Sequence, residues 1–119
     1  MENNIQIDSA KTLALLVKEN SCVIIKISAS WCGPCKDNNF KKAYDELKFF
    51  YKNYSNIKFI DLDIDEHEYI LEDKNYYDID INAVPTFLIS QNGSFIKKIE
   101  GSGQLYEINQ LILNILNLR

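Results

Sequence analysis

The sequence predicts an α/β fold in which a central mixed β-sheet is flanked by helices, in the order β-α-β-α-β-α-β-β-α. Two patterns lead there: short β-branched runs alternate with amphipathic helical spacing, and an Asn-Gly step joins the last two strand-like runs. No repeat, low-complexity tract or Gly/Pro/Ser-rich linker interrupts the 119 residues, so residues 1–119 read as one domain. With 46% hydrophobic and 25% charged residues, the chain has enough apolar bulk to bury a core.

Ile5 to Ile7 reads as a short first strand. Ser9 then offers an N-cap to a helix whose Ala10, Leu13, Ala14 and Val17 fall at helical spacing, and Asn20-Ser21 ends it. Cys22 to Ser28 is short and β-branched, a strand whose near-continuous apolarity predicts burial on both faces, as is usual for parallel strands. Phe40, Ala43, Tyr44, Leu47, Phe50 and Tyr51 recur every three or four residues and predict a long amphipathic helix. From Lys58 to Ile64, Ile60, Leu62 and Ile64 share one strand face, with Phe59, Asp61 and Asp63 on the other. Asp65, with Glu68 three residues on, predicts a capped shorter helix through about Lys74. Thr86 to Ser90 and Ser94 to Glu100 form a hairpin through Gln91-Asn92-Gly93. Leu105, Ile108, Leu111, Ile112 and Ile115 give a C-terminal amphipathic helix.

Charge and hydropathy exclude several function classes. Seventeen acidic against 13 basic residues, a formal net charge of -4, leave no basic stripe for nucleic acid or an anionic membrane. No apolar run approaches the roughly 18 residues of a membrane span, and Met1-Glu2-Asn3-Asn4 lacks the flank and core of a signal peptide. The expectation is a protein without a signal peptide, in the cytoplasm or another reducing intracellular compartment.

The three cysteines are too few for a disulfide framework. Two of them form Cys32-Gly33-Pro34-Cys35, a spacing that reads as redox chemistry or as half a metal site. Zinc would need two further ligands from Cys22 and His67. Asp61-x-Asp63-x-Asp65 with Glu72 mimics a calcium loop, but Glu66 stands where such a loop needs glycine and the segment alternates as a strand. Neither metal is expected. Cys22 reads as a buried structural thiol, His67 as a solvated helix residue, and Tyr76-Tyr77 as packing.

Trp31-Cys32-Gly33-Pro34-Cys35-Lys36 follows a buried strand and opens a long helix; Val84-Pro85-Thr86 precedes the hairpin, and Asn92-Gly93 leads through a strand to Gly101. In these three features, over nearly its whole length, the chain resembles the thioredoxin family. The resemblance implies the thioredoxin fold and a thiol-disulfide oxidoreductase that reduces protein disulfides, with no cofactor beyond the redox-active Cys32-Cys35 pair. Implied partners are disulfide-containing client proteins and a thioredoxin reductase or other dithiol reductant, with the chain a monomer. A helix N-terminus supplies positive potential and free N–H groups, so Cys32 is placed to be the attacking thiolate and Cys35, one turn on, the resolving thiol. Gly33 is expected to let the turn close without a Cβ clash, and Pro34 suits the first helical turn because it has no N–H to waste. The resemblance further implies a cis Pro85 facing the cysteines and a client groove lined by Trp31, Gly33, Pro34, Ala83, Val84 and Gly101.

The chain also departs from the family. Thioredoxins usually carry a buried Asp at the position of Lys26 and a Lys at that of Asp61, so the two charges look exchanged. A cross-strand Lys26–Asp61 pair is the economical reading, and both join Cys32 and Cys35 as candidate catalytic residues. Asp37-Asn38-Asn39 replaces the usual apolar residues, Phe40 stands where the family often has a helix-kinking proline, and Ser28 replaces a common Trp. Gly-Pro between the cysteines favours a reductase over the His-containing motif of isomerases. The alternatives are a thioredoxin-fold binding module and a disulfide oxidase or isomerase.

Overall fold

The computed structural model describes residues 7–73 and 79–118. Helix α1 (Ala10–Glu19) starts where Ser9, in extended backbone, accepts from the Thr12 N–H at 3.1 Å, satisfying one of the amides left open in a first turn. Asn20 closes it, its side-chain amide donating to the Leu16 carbonyl. The chain then enters β1 (Cys22–Ser28), the strand around which the sheet is built.

Strand β1 pairs in parallel with β2 (Ile57–Asp63) and antiparallel with β3 (Thr86–Gln91), which in turn pairs antiparallel with β4 (Ser94–Glu100). The strand order is β2-β1-β3-β4, a mixed sheet. Burial of β1 on both faces is as its sequence predicts, but only one of its neighbours is parallel. The β3–β4 turn needs left-handed backbone at both central positions, and Asn92 (φ 50°) and Gly93 (φ 92°) supply it.

Alternation along the strands sends side chains into two separate layers. On one face, Val23, Ile25 and Ile27 meet Ile60, Leu62 and Leu88 under Leu13 and Val17 of α1, together with Ile70. On the other, Cys22 and Ile24 pack with Phe87 and Ile89 beneath Phe40 and Tyr44, and beneath Ile108 and Ile112 of α5 (Leu105–Ile115).

Three expectations change. The long helix after the cysteine motif is two helices, α2 (Gly33–Lys36) and α3 (Asn38–Phe50), separated at Asp37. Asp37 takes an extended ψ of 128° and its Oδ2 accepts from the Phe40 N–H at 3.0 Å, so a capping side chain interrupts the helix at a position without proline. The helix expected from Asp65 through Lys74 is a single turn, α4 (Glu68–Leu71); its N-cap position is His67, and Asp65 is engaged elsewhere. Ile7 of the first expected strand is not in a strand but is buried against α1, and Ile5 and Gln6 lie outside the described residues, as do Lys74, Tyr76 and Tyr77.

Cys22, buried at the start of β1, is a free thiol whose burial pushes its pKa from 9.0 up to about 12. The unfolded chain gives up that proton near pH 9.0 while the folded one retains it to about 12, so stability is lost as pH rises across that window. In the oxidised protein, where the other two cysteines do not titrate, urea unfolding between about pH 9 and 10.5 is expected to lose about 1.4 kcal/mol per pH unit from this thiol. The Cys22→Val variant should show a slope shallower by one proton.

Candidate active site

The end of β1 delivers the cysteine motif. After Ser28 the chain turns, the Cys32 N–H donating to the Ala29 carbonyl at 3.1 Å, and this throws Trp31 outward with 65% of its surface exposed. Cys32 is the N-cap of α2, and its Sγ accepts from the Cys35 N–H at 3.1 Å. Pro34 occupies the first turn, where its missing N–H leaves no bond unmade. Cys32 and Cys35 are joined in a disulfide, Cα atoms 5.3 Å apart, and both are buried against Ala29, Ile64 and Val84.

Two expectations about this turn are corrected. A Cβ on Gly33 would meet nothing within 4 Å, so its lack of a side chain keeps the surface beside Cys32 open instead of relieving a clash. The helix behind Cys32 is one turn long, so what acts directly on the sulfur is the Cys35 amide and not the dipole of a long continuous helix.

Opposite the motif, the Val84–Pro85 bond is cis, and the Val84 carbonyl oxygen lies 3.5 Å from Cys32 Sγ. Pro85 is buried, and its carbonyl accepts from the Gly101 N–H at 2.8 Å. Gly101 has φ 104°, left-handed backbone that side chains disfavour. Between these walls runs a groove of about 510 Å³ lined by Trp31, Cys32, Gly33 and Pro34 on one side and Ala83 and Val84 on the other. Pro85 and Gly101, expected among the site residues, are not part of this lining. Ile64, Ile81 and Asn82 complete the groove and were not among the expected site residues. The alternation of β2 marks Ile64 as an inward residue, but nothing in the local sequence marks Ile81 or Asn82.

The rim is tied to the end of β2. Trp31 Nε1–H donates to Asp65 Oδ2 at 2.8 Å. The Asp65 and Glu66 amides donate to Asp63 Oδ1 at 2.9 and 3.0 Å. These bonds, that of Glu66 foremost, hold the Asp63 carboxyl below the usual carboxylate range. His67, read from sequence as a solvated helix residue, instead accepts the Asp63 N–H on Nδ1 at 2.9 Å.

Lys26 and Asp61 are register partners, Nζ and Oδ1 3.8 Å apart. Asp61 also faces Lys48 of α3, Oδ2 to Nζ 3.8 Å, and the Lys26 ammonium lies 4.7 Å from the centroid of the Tyr44 ring. Lys26 is largely covered, at 15% side-chain exposure, whereas Asp61 is 52% exposed, so water screens the pair. Among the described residues, no hydrogen bond or ion pair joins either group to Cys32 or Cys35. The carboxylates of the calcium-like spacing are engaged separately, Asp61 by lysines, Asp63 by amides and Asp65 by Trp31. No cluster of three or more metal-ligating side chains occurs among the described residues.

Comparison with known proteins agrees with this geometry. The Thioredoxin family model matches residues 5–114. Thioredoxin 1 of Plasmodium falciparum (isolate 3D7) is 33% identical over 87 residues, covering 73% of this chain and 74% of the relative. Thioredoxin Asp f 28 of Aspergillus fumigatus is 31% identical over 93 residues, 78% of this chain and 77% of that protein. A solved structure of Plasmodium falciparum thioredoxin superposes with a TM-score of 0.69 at 28% identity, covering 95% of this chain and 97% of that one. Alike in sequence over most of its length and folded like its relatives around a Cys32–Cys35 disulfide, the chain belongs to the thioredoxin family and is a protein-disulfide oxidoreductase.

Proposed function

We propose that the protein reduces disulfides in client proteins through a Cys32–Cys35 dithiol/disulfide cycle and is recharged by a thioredoxin reductase or another dithiol reductant. The observation that carries this reading is the disulfide lying beside an open groove, with a backbone amide aimed at the sulfur of Cys32. A sulfur that accepts an N–H bond is favoured as the thiolate, which is the nucleophile.

In the reduced protein the Cys32 thiolate attacks one client sulfur. A Cys32–client bond forms, the client S–S bond breaks, and the departing sulfur leaves as a thiolate that takes up a proton. Cys35 then gives up its proton and attacks Cys32 Sγ, freeing the second client thiol and closing the Cys32–Cys35 bond. The client gains two electrons, and the protein is left oxidised until a dithiol restores it.

Trp31, Gly33 and Pro34 form one wall for an extended client segment, and the backbone of Ala83 and Val84 the other. Pro85, pinned by the Gly101 N–H, holds that second wall against Cys32. Lys26 and Asp61 act as a charge-balanced positioning pair beneath α3, a reading supported by their contacts with each other and with Lys48 and Tyr44. The same reading takes residues 1–119 as one domain, a monomer in a reducing intracellular compartment that uses no cofactor beyond its own disulfide.

With insulin as substrate and dithiothreitol as reductant, Cys32→Ser is expected to fall to the uncatalysed rate. Reduced Cys35→Ser, freed of dithiothreitol before insulin is added, should accumulate a covalent client adduct visible by intact mass. Turnover by Cys32→Ser, or no adduct with Cys35→Ser, would remove the cycle. Equilibration against redox buffers should place the pair near the about −270 mV of reducing dithiols; a value near the about −120 mV of strong oxidants would replace the reductase with an oxidase. Lys26→Met is expected to change that equilibrium less than about tenfold, or about 30 mV. A larger fall in potential would mean that the ammonium acts directly on the thiolate.

A further inference from the structure

The chain has one histidine and one tryptophan, and the structure links them. Trp31 is exposed at the groove rim, and its indole N–H is held by Asp65. The Asp65 backbone is held in turn by the Asp63 carboxylate, and the Asp63 backbone by the imidazole of His67. The His67 N–H also donates to the Asp63 carbonyl at 2.8 Å, so this residue engages both backbone polar groups of Asp63. The bond to Nδ1 requires a lone pair there, which only an imidazole unprotonated at Nδ1 provides.

We propose that His67 is a positioning residue for the disulfide chemistry: its unprotonated Nδ1 fixes the turn through which Asp65 holds Trp31 against the groove, and protonation releases that hold. The inference rests on the Trp31 groove being the client site. A protonated ring offers N–H at both nitrogens, so Nδ1 then opposes the Asp63 amide instead of accepting from it. The new cation also draws the Asp63 carboxylate away from the Asp65 and Glu66 amides. Both effects loosen the segment that carries Asp65.

Other titratable groups surround the turn and have to be separated from His67. Asp63 comes from β2, and Asp65, Glu66 and Glu68 flank the histidine along the chain. The start of α1 brings Asp8, whose carboxylate accepts from the Thr12 hydroxyl and whose carbonyl accepts from Tyr69. Asp80 lines a cavity with Glu68 and Glu72. In the oxidised protein Cys32 and Cys35 do not titrate, which removes the thiols nearest Trp31. Imidazole is the side chain that ordinarily changes charge between about pH 5 and 8, and replacing His67 alone separates it from these carboxylates.

The test follows the Trp31 indole N–H resonance of the oxidised protein from about pH 8 to 5. In the unsubstituted protein the resonance should move in one proton-linked step. In His67→Asn, whose Oδ1 accepts a bond where Nδ1 did but does not titrate, it should remain near its neutral-pH position throughout. In His67→Leu it should lie at the acid position at every pH, with KM for insulin raised about threefold at neutral pH. A flat profile in the unsubstituted protein, or a step that survives in His67→Asn, overturns the proposal, and the Asn comparison suffices if His67→Leu does not fold. Failure of the parent protein to reduce insulin would instead remove the proposed function, a result that the indole titration does not share.

Discussion

Strand β1 is closed to water from Cys22 through Ile25 and again at Ile27, and its backbone is bonded on both edges to β2 and β3. Each buried branched side chain contributes roughly 1.5–3 kcal/mol, and pairing on both edges from Cys22 through Ile27 fixes the register. The strand end therefore has little freedom, and the turn of residues 29–32 leaves it in one direction. The position of Cys32 beside the Val84 carbonyl follows from that rigidity, because β3, on the other edge of β1, is the strand that the Val84–Pro85 segment enters. The two sulfurs and the facing backbone are thus carried at the ends of two adjacent, paired and buried strands.

The same constraint bears on Lys26. It occupies a strand whose other residues are mostly buried, and an unpaired ammonium there would lose its hydration without replacement. Its long apolar stem lies along the sheet and its charge reaches the partly solvated Asp61, which Lys48 shares. The Tyr44 ring lies beside the ammonium and covers it on the α3 side. Tyr44 carries its own cost, since its hydroxyl is buried without a hydrogen-bond partner and burial raises its pKa well above 10.0. Charge here is balanced locally, apart from the disulfide.

The groove rim obeys a different physics. Trp31 is exposed, so little packing holds it, and its orientation depends on one hydrogen bond to Asp65. That bond is only as firm as the one-turn region around α4, which lacks the length to be stable as an isolated helix. Side-chain-to-backbone bonds from Asp63 and His67 take the place of helix length. The Trp31 edge of the groove is in this way softer than its sulfur-bearing floor.

What the sequence by itself determined were the features encoded locally. Ser9, the β-branched run of β1, the Asn92-Gly93 turn and the spacing of α5 each fix backbone or burial within a few residues, and each was legible. The motif Cys32-Gly33-Pro34-Cys35 was legible for the same reason, since two thiols three residues apart on one helical turn reach each other without help from the rest of the fold. The break at Asp37 was not read, because the apolar spacing starts only at Phe40 and does not register how a capping side chain redirects the backbone before it. Tertiary structure alone decided that Ile81 and Asn82 line the groove, that Asp65 serves Trp31 instead of capping a helix, and that Lys26, besides the Asp61 partner read from the sequence, lies beside the Tyr44 ring. These contacts join residues far apart in the chain, and no local periodicity records which side chains the folded sheet brings face to face.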